Sequence, residues 1–315
     1  MYDLIGDIHG YATPLKQLLK KMDYVKRDGI WQHPERKVIF LGDFVDRGPE
    51  QVETVQIARA MVEGDSALAV MGNHEFNAVA WTTPDPNSPD EYLRSHNNEK
   101  NHNQHKEFLR QVAEGSDQHS DMINWFKTLP LYLDLDGLRV VHACWHPDSL
   151  KTLAQFTDHE NRVLPDAWPA LAHKEGVGYN ALEIVLKGLE IALPTGHEFP
   201  DKDRHPRRDI RTRWWKEPQD LTYRDLALVG PEVIGMIPRI PVPDGVLPGY
   251  DGKKPLFLGH YWLTGHPALL SKHIACLDYS IAAEHTNATE GRGKLCAYRW
   301  QGERELSAQQ FIWVP

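Results

Sequence analysis

Cysteine is scarce in this chain. Cys144, Cys276 and Cys296 are the only three in 315 residues, and no two form a CxxC pair. That argues against a disulfide framework and leaves a reduced chain as the expectation. Positive charge is also in deficit: Lys+Arg is 35 against Asp+Glu 44, a formal net charge of -9. General nucleic-acid binding draws on a basic face, so none is expected. No apolar run is long enough to cross a bilayer, so no membrane association is expected. The opening Met1-Tyr2-Asp3-Leu4-Ile5 lacks the basic lead and long apolar segment of a signal peptide, and a cytoplasmic location is the default. Neither an internal repeat nor a clear linker divides the chain, so residues 1–315 are read as one domain. What is present is ordinary for a globular protein: 41% hydrophobic and 25% charged residues, in a chain long enough for a large core.

The apolar runs have a consistent order. Tyr2 to Ile5, Val38 to Leu41 and Ala67 to Met71 read as buried strands, each ending at a glycine. Helical patterns follow the first two. Thr13-Pro14 resembles a helix start, with Leu15, Leu18, Leu19 and Met22 as its buried stripe. Pro49 can open a second helix carrying Val55, Ala58, Met61 and Val62. Strands alternating with helices predict an α/β fold with a parallel sheet. Residues 82–105, with Pro84, Pro86, Pro89 and an Asn- and His-rich run, read as a polar surface insertion: a lid, a substrate-contacting loop or a plain solvated excursion. Its histidines lack an accompanying carboxylate pattern, and a metal role for them is not favoured. Leu131–Leu133 and Leu138–Val141 flank Asp136-Gly137 as a hairpin. Residues 150–240 read as mostly helical pieces. Leu256–Leu258, His273–Leu277, Lys294–Arg299 and Gln309–Val314 are late strands, enough for a second sheet packed on the first.

Chemistry gathers where these runs end. Gly6-Asp7-Ile8-His9-Gly10, Gly42-Asp43-Phe44-Val45-Asp46-Arg47-Gly48, Gly72-Asn73-His74-Glu75, His142-Ala143-Cys144 and Gly259-His260 each follow an apolar run. Ligands at the carboxyl ends of strands converge on one crevice. Asp, His and Asn suit Mn²⁺, Fe or Zn²⁺. In this order the motifs resemble those of the calcineurin-like metallophosphoesterases, specifically the phosphoprotein phosphatase branch. That branch carries GDxHG, GDxVDRG, GNHE, a His-Ala-Gly segment and a late Gly-His.

The resemblance implies an α/β sandwich of two mixed sheets flanked by helices, and a phosphoesterase using two divalent transition-metal ions, Mn²⁺ first with Fe or Zn²⁺ as alternatives. It assigns Asp7, His9 and Asp43 to one metal and Asp43, Asn73, His142 and His260 to the other. Two such ions lower the pKa of a bound water, which becomes the nucleophile. The resemblance makes His74 the general acid, Asp46 the carboxylate that orients it and Arg47 a grip on the phosphoryl oxygens. Glu75 is read as a loop support or helix cap. A second phosphate-gripping arginine is expected in Arg207–Trp215, a segment similar to one in bacterial symmetrical dinucleoside tetraphosphatases. Arg211 and Arg213 are both candidates, and Trp214 and Trp215 could stack on a base or pack.

Three departures blur the subclass. Cys144 stands where the branch has glycine and reads as a buried filler. Tyr261-Trp262 follows His260 where threonine is common. Phe76-Asn77 follows Glu75 in place of arginine. A phosphomonoesterase acting on phosphoproteins or small phosphate esters is the first expectation. A symmetrical dinucleoside tetraphosphate hydrolase, splitting Ap4A into two ADP, is the second. A catalytically silent binding protein is the third.

Overall fold

The computed structural model describes residues 1–315 apart from 175, 202, 203, 218 and 284–292. Two sheets pack face to face. The first has six strands: Asp278–Tyr279, Lys294–Trp300, Tyr2–Ile5, Lys37–Phe40 and Ala67–Ala69 in that spatial order, with Phe311–Val314 also paired to Lys294–Trp300. Tyr2–Ile5, Lys37–Phe40 and Ala67–Ala69 run parallel, with Leu4 opposite Ile39 and Ile39 opposite Leu68. The second sheet orders Leu269–Ser271, Ile274–Cys276, Leu256–Leu258, Arg139–Val141 and Tyr132–Asp134. This is the mixed α/β sandwich expected from the sequence.

Strand alternation sorts the core into two layers. Leu4, Ile39, Val140, Phe257, Ala275 and Tyr298 face the space between the sheets. Their chain neighbours Ile5, Phe40, Val141 and Leu258 point outward against the helices. Ala12–Lys21 and Gln51–Glu63 cover one face, and each buries an apolar stripe. The first of these helices begins at Ala12 with Tyr11 as its N-cap, so Thr13 does not cap it. Instead the Thr13 hydroxyl donates to Glu50.

Two regions differ from the sequence reading. The polar segment 82–105 is not one surface loop. A short hairpin, Pro84–Asp85 with Ser88–Tyr92, is followed by a helix from Glu99 to Val112. Asn98 caps that helix by accepting from the backbone N–H groups of Lys100 and Asn101. In the sequence, helical spacing is legible only at its end, around Phe108 to Val112, because the exposed face is almost wholly polar. Among the described residues, the helical pieces of the stretch 150–240 are Pro147–Leu153, Trp168–Ala172, Val177–Lys187 and the short turns Tyr223–Leu226 and Ile234–Met236. After Gly188 the chain turns into small two-stranded pairings, Glu190–Ala192 with Asp209–Arg211 and Phe199–Pro200 with Pro206–Arg207. Such short polar strands carry no alternation strong enough to outweigh local helical spacing.

Candidate metal centre

The parallel strands Tyr2–Ile5, Lys37–Phe40 and Ala67–Ala69 deliver three loops to one end of the first sheet, carrying Asp7 and His9, Asp43 to Arg47, and Asn73 to Glu75. Arg139–Val141 and Leu256–Leu258, adjacent and parallel in the second sheet, deliver His142 and His260 to the same place. The bends required are sharp. His9, Asp43, Asp46, Arg47 and His260 all have positive φ, a backbone region that non-glycine residues enter at a cost and that collects at functional sites. Gly42, at φ +88, lies so close to Gly72 that a Cβ would sit 2.4 Å from its nitrogen. Glu75 ties the loops together: its carboxylate accepts from the backbone N–H groups of Asp43, Phe44 and Gly72. Burial, with Asp43 nearby, pushes its pKa up to about 7.

Asp43 is the hub. Its Oδ2 lies 3.3 Å from His142 Nε2 and 3.8 Å from both His9 Nε2 and His74 Nε2. Burial opposes its charge, but His142 and His74 outweigh that and hold its pKa well below the usual range. Asn73 Oδ1 lies 2.8 Å from His260 Nδ1 and 3.3 Å from His142 Nε2. Two groups of possible ligands result, His9–Asp43–His74 and Asp43–His142–His260, with ligand atoms within 4.8 Å of one another and Asp43 common to both.

The donors are prepared for a cation. His9 Nδ1 bonds the Val45 carbonyl at 3.0 Å, and His142 Nδ1 bonds that of Leu41 at 2.7 Å. A carbonyl on one ring nitrogen fixes the proton there and turns the other's lone pair inward, as in metal-binding histidines. His9 Nε2 and Asp7 Oδ1 are both buried with no hydrogen-bond partner. Asp7 Oδ2 accepts from the His260 backbone N–H at 3.0 Å. Burial, followed by the neighbouring Asp278, raises the Asp7 pKa well above normal. A buried carboxylate oxygen and a buried imidazole nitrogen without partners are each costly unless a cation meets them. These oxygen and nitrogen donors therefore fit divalent metal ions.

His74 is held differently. Its Nδ1 makes a 2.5 Å hydrogen bond with Asp46 Oδ2, leaving Nε2 toward the crevice. Burial lowers its pKa, but Asp43 and Asp46 reverse that and raise it above 6.5. The sequence reading missed what lies behind Asp46. His105 Nδ1 bonds Asp46 Oδ1 at 2.7 Å, so the carboxylate bridges two imidazoles. His105 is 2% exposed and Asp46 1%. It sits among Trp81 and Phe108. A signal was present: His105, Phe108, Leu109 and Val112 follow i, i+3, i+4, i+7 spacing, which puts His105 on the buried face.

The arginines separate. Arg47 is exposed and its guanidinium lies 4.2 Å from the Trp262 ring. Arg211 reaches the centre, with Nη1 3.1 Å from His260 Nε2. Arg213 turns away and donates to the Asp225 carbonyl at 3.5 Å. Trp214 is fully buried and donates to the Tyr261 hydroxyl, while Trp215 packs edge-on against Tyr261. Trp214 is a packing residue, unavailable for base stacking. Cys144 is buried, and burial pushes its thiol pKa well up.

The family model described as calcineurin-like phosphoesterase matches residues 2–198. Among curated relatives, an asymmetrical bis(5′-nucleosyl)-tetraphosphatase PrpE of Geobacillus sp. (strain WCH70) is 47% identical over 73 residues, 23% of this chain and 30% of that protein. A symmetrical bis(5′-nucleosyl)-tetraphosphatase of Janthinobacterium sp. (strain Marseille) is 29% identical over 174 residues, 54% of each. Another symmetrical one, of Methylococcus capsulatus, is 24% identical over 288 residues, 87% of this chain and 85% of that protein. The chain thus spans from about a third to about half the length of the first relatives it matches. Among the described residues, no helix is long and apolar enough to cross a membrane.

Proposed function

The chain belongs to the calcineurin-like phosphoesterases, and from that premise we propose that it hydrolyses a phosphate ester or anhydride with two divalent metal ions held by Asp7, His9, Asp43, Asn73, His142 and His260. Asp43, common to both ligand groups, would serve both ions. Bound there, the ions would supply Lewis acidity for the phosphoryl oxygens and lower the pKa of water. Mn²⁺ is the first ion to test, with Fe and Zn²⁺ next.

The protein's own groups do the rest. Burial lowers the His74 pKa, but Asp43 and Asp46 outweigh it and raise it, which favours the protonated ring that a general acid needs. Asp46 accepts the hydrogen bond from Nδ1–H and so fixes the ring with Nε2 toward the leaving oxygen. Arg47 and Arg211 present donors to the phosphoryl oxygens. Arg47 is steadied by Trp262 and Arg211 by Glu190. Of Arg211 and Arg213, the second phosphate contact is assigned to Arg211, whose Nη1 lies 3.1 Å from His260 Nε2. The observation carrying most weight is the junction at Asp43: one buried carboxylate faces three imidazole nitrogens. Hydrolysis of phenyl phosphate, whose phenolate leaving group needs protonation, in Mn²⁺ by wild type and His74→Asn tests the reading. We expect the variant to keep its fold and metal while kcat falls about 100-fold or more, the scale of a general acid. Full kcat in the metal-loaded variant would remove His74 from the mechanism.

For the substrate, a phosphoprotein or small phosphate ester fits the reaction. Dinucleoside tetraphosphate hydrolysis is favoured by a separate observation: relatives matching along much of the chain carry that activity in their names. Product analysis with diadenosine tetraphosphate and a phosphopeptide mixture separates the two, since only the nucleotide reading yields ADP as sole nucleotide product.

A further inference from the structure

Beside the metal centre lies an open cavity of about 710 Å³. The helix Glu99–Val112 and the helix Val177–Lys187 form two of its walls, and Arg207 and Arg211 a third. Both regions that departed from the sequence reading therefore build one feature. The chain is acidic overall, yet this cavity is cationic. Arg94, Lys100, Lys187, Arg207 and Arg211 line it against two carboxylates, Glu183 and Glu190. Lys187 pairs with Glu183, and Arg207 and Arg211 share Glu190. Arg94 and Lys100 have no carboxylate at ion-pair distance among the described residues. Arg94 donates to the neutral Gln104 side chain at 2.7 Å, and its Nε is buried with no partner. Arg211 Nε is likewise buried and unpartnered. Buried donors without acceptors are expensive, and two at one cavity point to an absent anion. Burial also lowers the Arg94 pKa, so an anion arriving there would relieve a desolvated charge.

The cavity opens on the reacting side. Asn73 and Arg211 line it and also touch His260. Gln104 lines it and lies 3.4 Å from His74 Nε2, the atom aimed at the leaving oxygen. A leaving group that takes its proton from His74 extends past Gln104 toward Arg94 and Lys100. We propose that this cavity is a subsite for a polyphosphate leaving group, with Arg94 and Lys100 binding phosphates beyond the one attacked. The substrate class is then a phosphoric anhydride. Water oxygen forms the new bond to the attacked phosphorus, and the bond from that phosphorus to the bridging oxygen breaks. The bridging oxygen leaves with the electron pair and takes the proton from His74, which water later restores. The choice of reacting end rests on the hydrolase reading above; the anion site itself does not.

Two measurements test it on Arg94→Gln, Lys100→Gln and the double variant. The first compares kcat/KM in Mn²⁺ for diadenosine tetraphosphate and p-nitrophenyl phosphate, whose leaving group has no phosphate. The expected result is a loss for the tetraphosphate about tenfold or more larger than for the monoester, expressed mainly in KM, as for lost charge-assisted contacts. The second is calorimetric binding of inorganic tripolyphosphate to metal-free protein. Its Kd should weaken about tenfold in the double variant and weaken further with salt. Equal losses on both substrates, or an unchanged tripolyphosphate Kd, would overturn the subsite, as would phosphopeptide turnover outrunning the tetraphosphate with no response to the variants. Absence of hydrolysis alongside lost tripolyphosphate binding in the double variant would instead reject the hydrolase reading and leave the anion site standing.

Discussion

Replacing His105 by phenylalanine removes the second donor to Asp46 while keeping a ring among Trp81 and Phe108. Asp46 now accepts from His105 at 2.7 Å and from His74 at 2.5 Å, and all three side chains are buried. A hydrogen bond to a charged group contributes about 1.5–3 kcal/mol. Its loss frees Asp46 to rotate, and with it the His74 ring. If the transition state feels most of that, kcat falls about 10- to 100-fold, the usual scale for a partner behind a functional histidine. The leaving group supplies a control. Phenolate needs protonation far more than p-nitrophenolate, so His105→Phe should lower kcat for phenyl phosphate much more than for p-nitrophenyl phosphate. His105→Asn, which keeps an amide N–H near the Nδ1 position, should recover most of the loss. Equal losses on both substrates, or no loss on phenyl phosphate, would refute a positioning role acting through His74.

Other perturbations follow from the same geometry. Arg211→Gln should raise KM and lower kcat, whereas Arg213→Gln, whose side chain turns to the Asp225 carbonyl, should change kcat/KM by less than about twofold, read from steady-state kinetics. Gly259→Ala places a Cβ 2.1 Å from Asp7 Oδ1, so bound metal measured by elemental analysis should fall and stability should drop by about 1–3 kcal/mol from overpacking. In metal-free protein, His142 is shifted from 6.5 to about 10, because Asp43 outweighs burial. The stabilisation from that proton is fully present below about 6.5 and is lost as pH rises toward 10. Metal requires the neutral ring, so the Tm gain on adding Mn²⁺ should grow between pH 6 and 8.5, with protons released on binding. A Tm gain that is flat or falls across that range would count against His142 as a ligand.

The sheets and the polar loops at their ends were legible because each signal is local. Leu4-Ile5 before Gly6-Asp7, or Ile39-Phe40-Leu41 before Gly42-Asp43, carries both the strand and its chemistry within a few residues. The bridge from Asp46 to His105 spans 59 residues, and nothing near either residue names the other. The helix beginning at Glu99 hides behind Asn, Lys, Gln and His on its exposed face, with only His105, Phe108, Leu109 and Val112 marking its buried one. The choice between Arg211 and Arg213 was invisible for a similar reason. The two lie in one extended run, and the pairing of Asp209–Arg211 with Glu190–Ala192 brings Arg211 opposite Glu190, beside the site. Trp214 read equally well as a stacking platform or as core until its N–H was found on the buried Tyr261 hydroxyl.

On the proposed function, the buried Asp, His and Asn donors around Asp43 hold two catalytic ions. Metal-stripped protein titrated with Mn²⁺, with bound metal and p-nitrophenyl phosphate turnover followed on the same samples, tests it most directly. Two ions per chain are expected, with activity rising as they bind and both lost in Asp43→Ala. Turnover that survives full metal removal, or a protein that takes up no Mn²⁺, Fe or Zn²⁺ at this site, would contradict it.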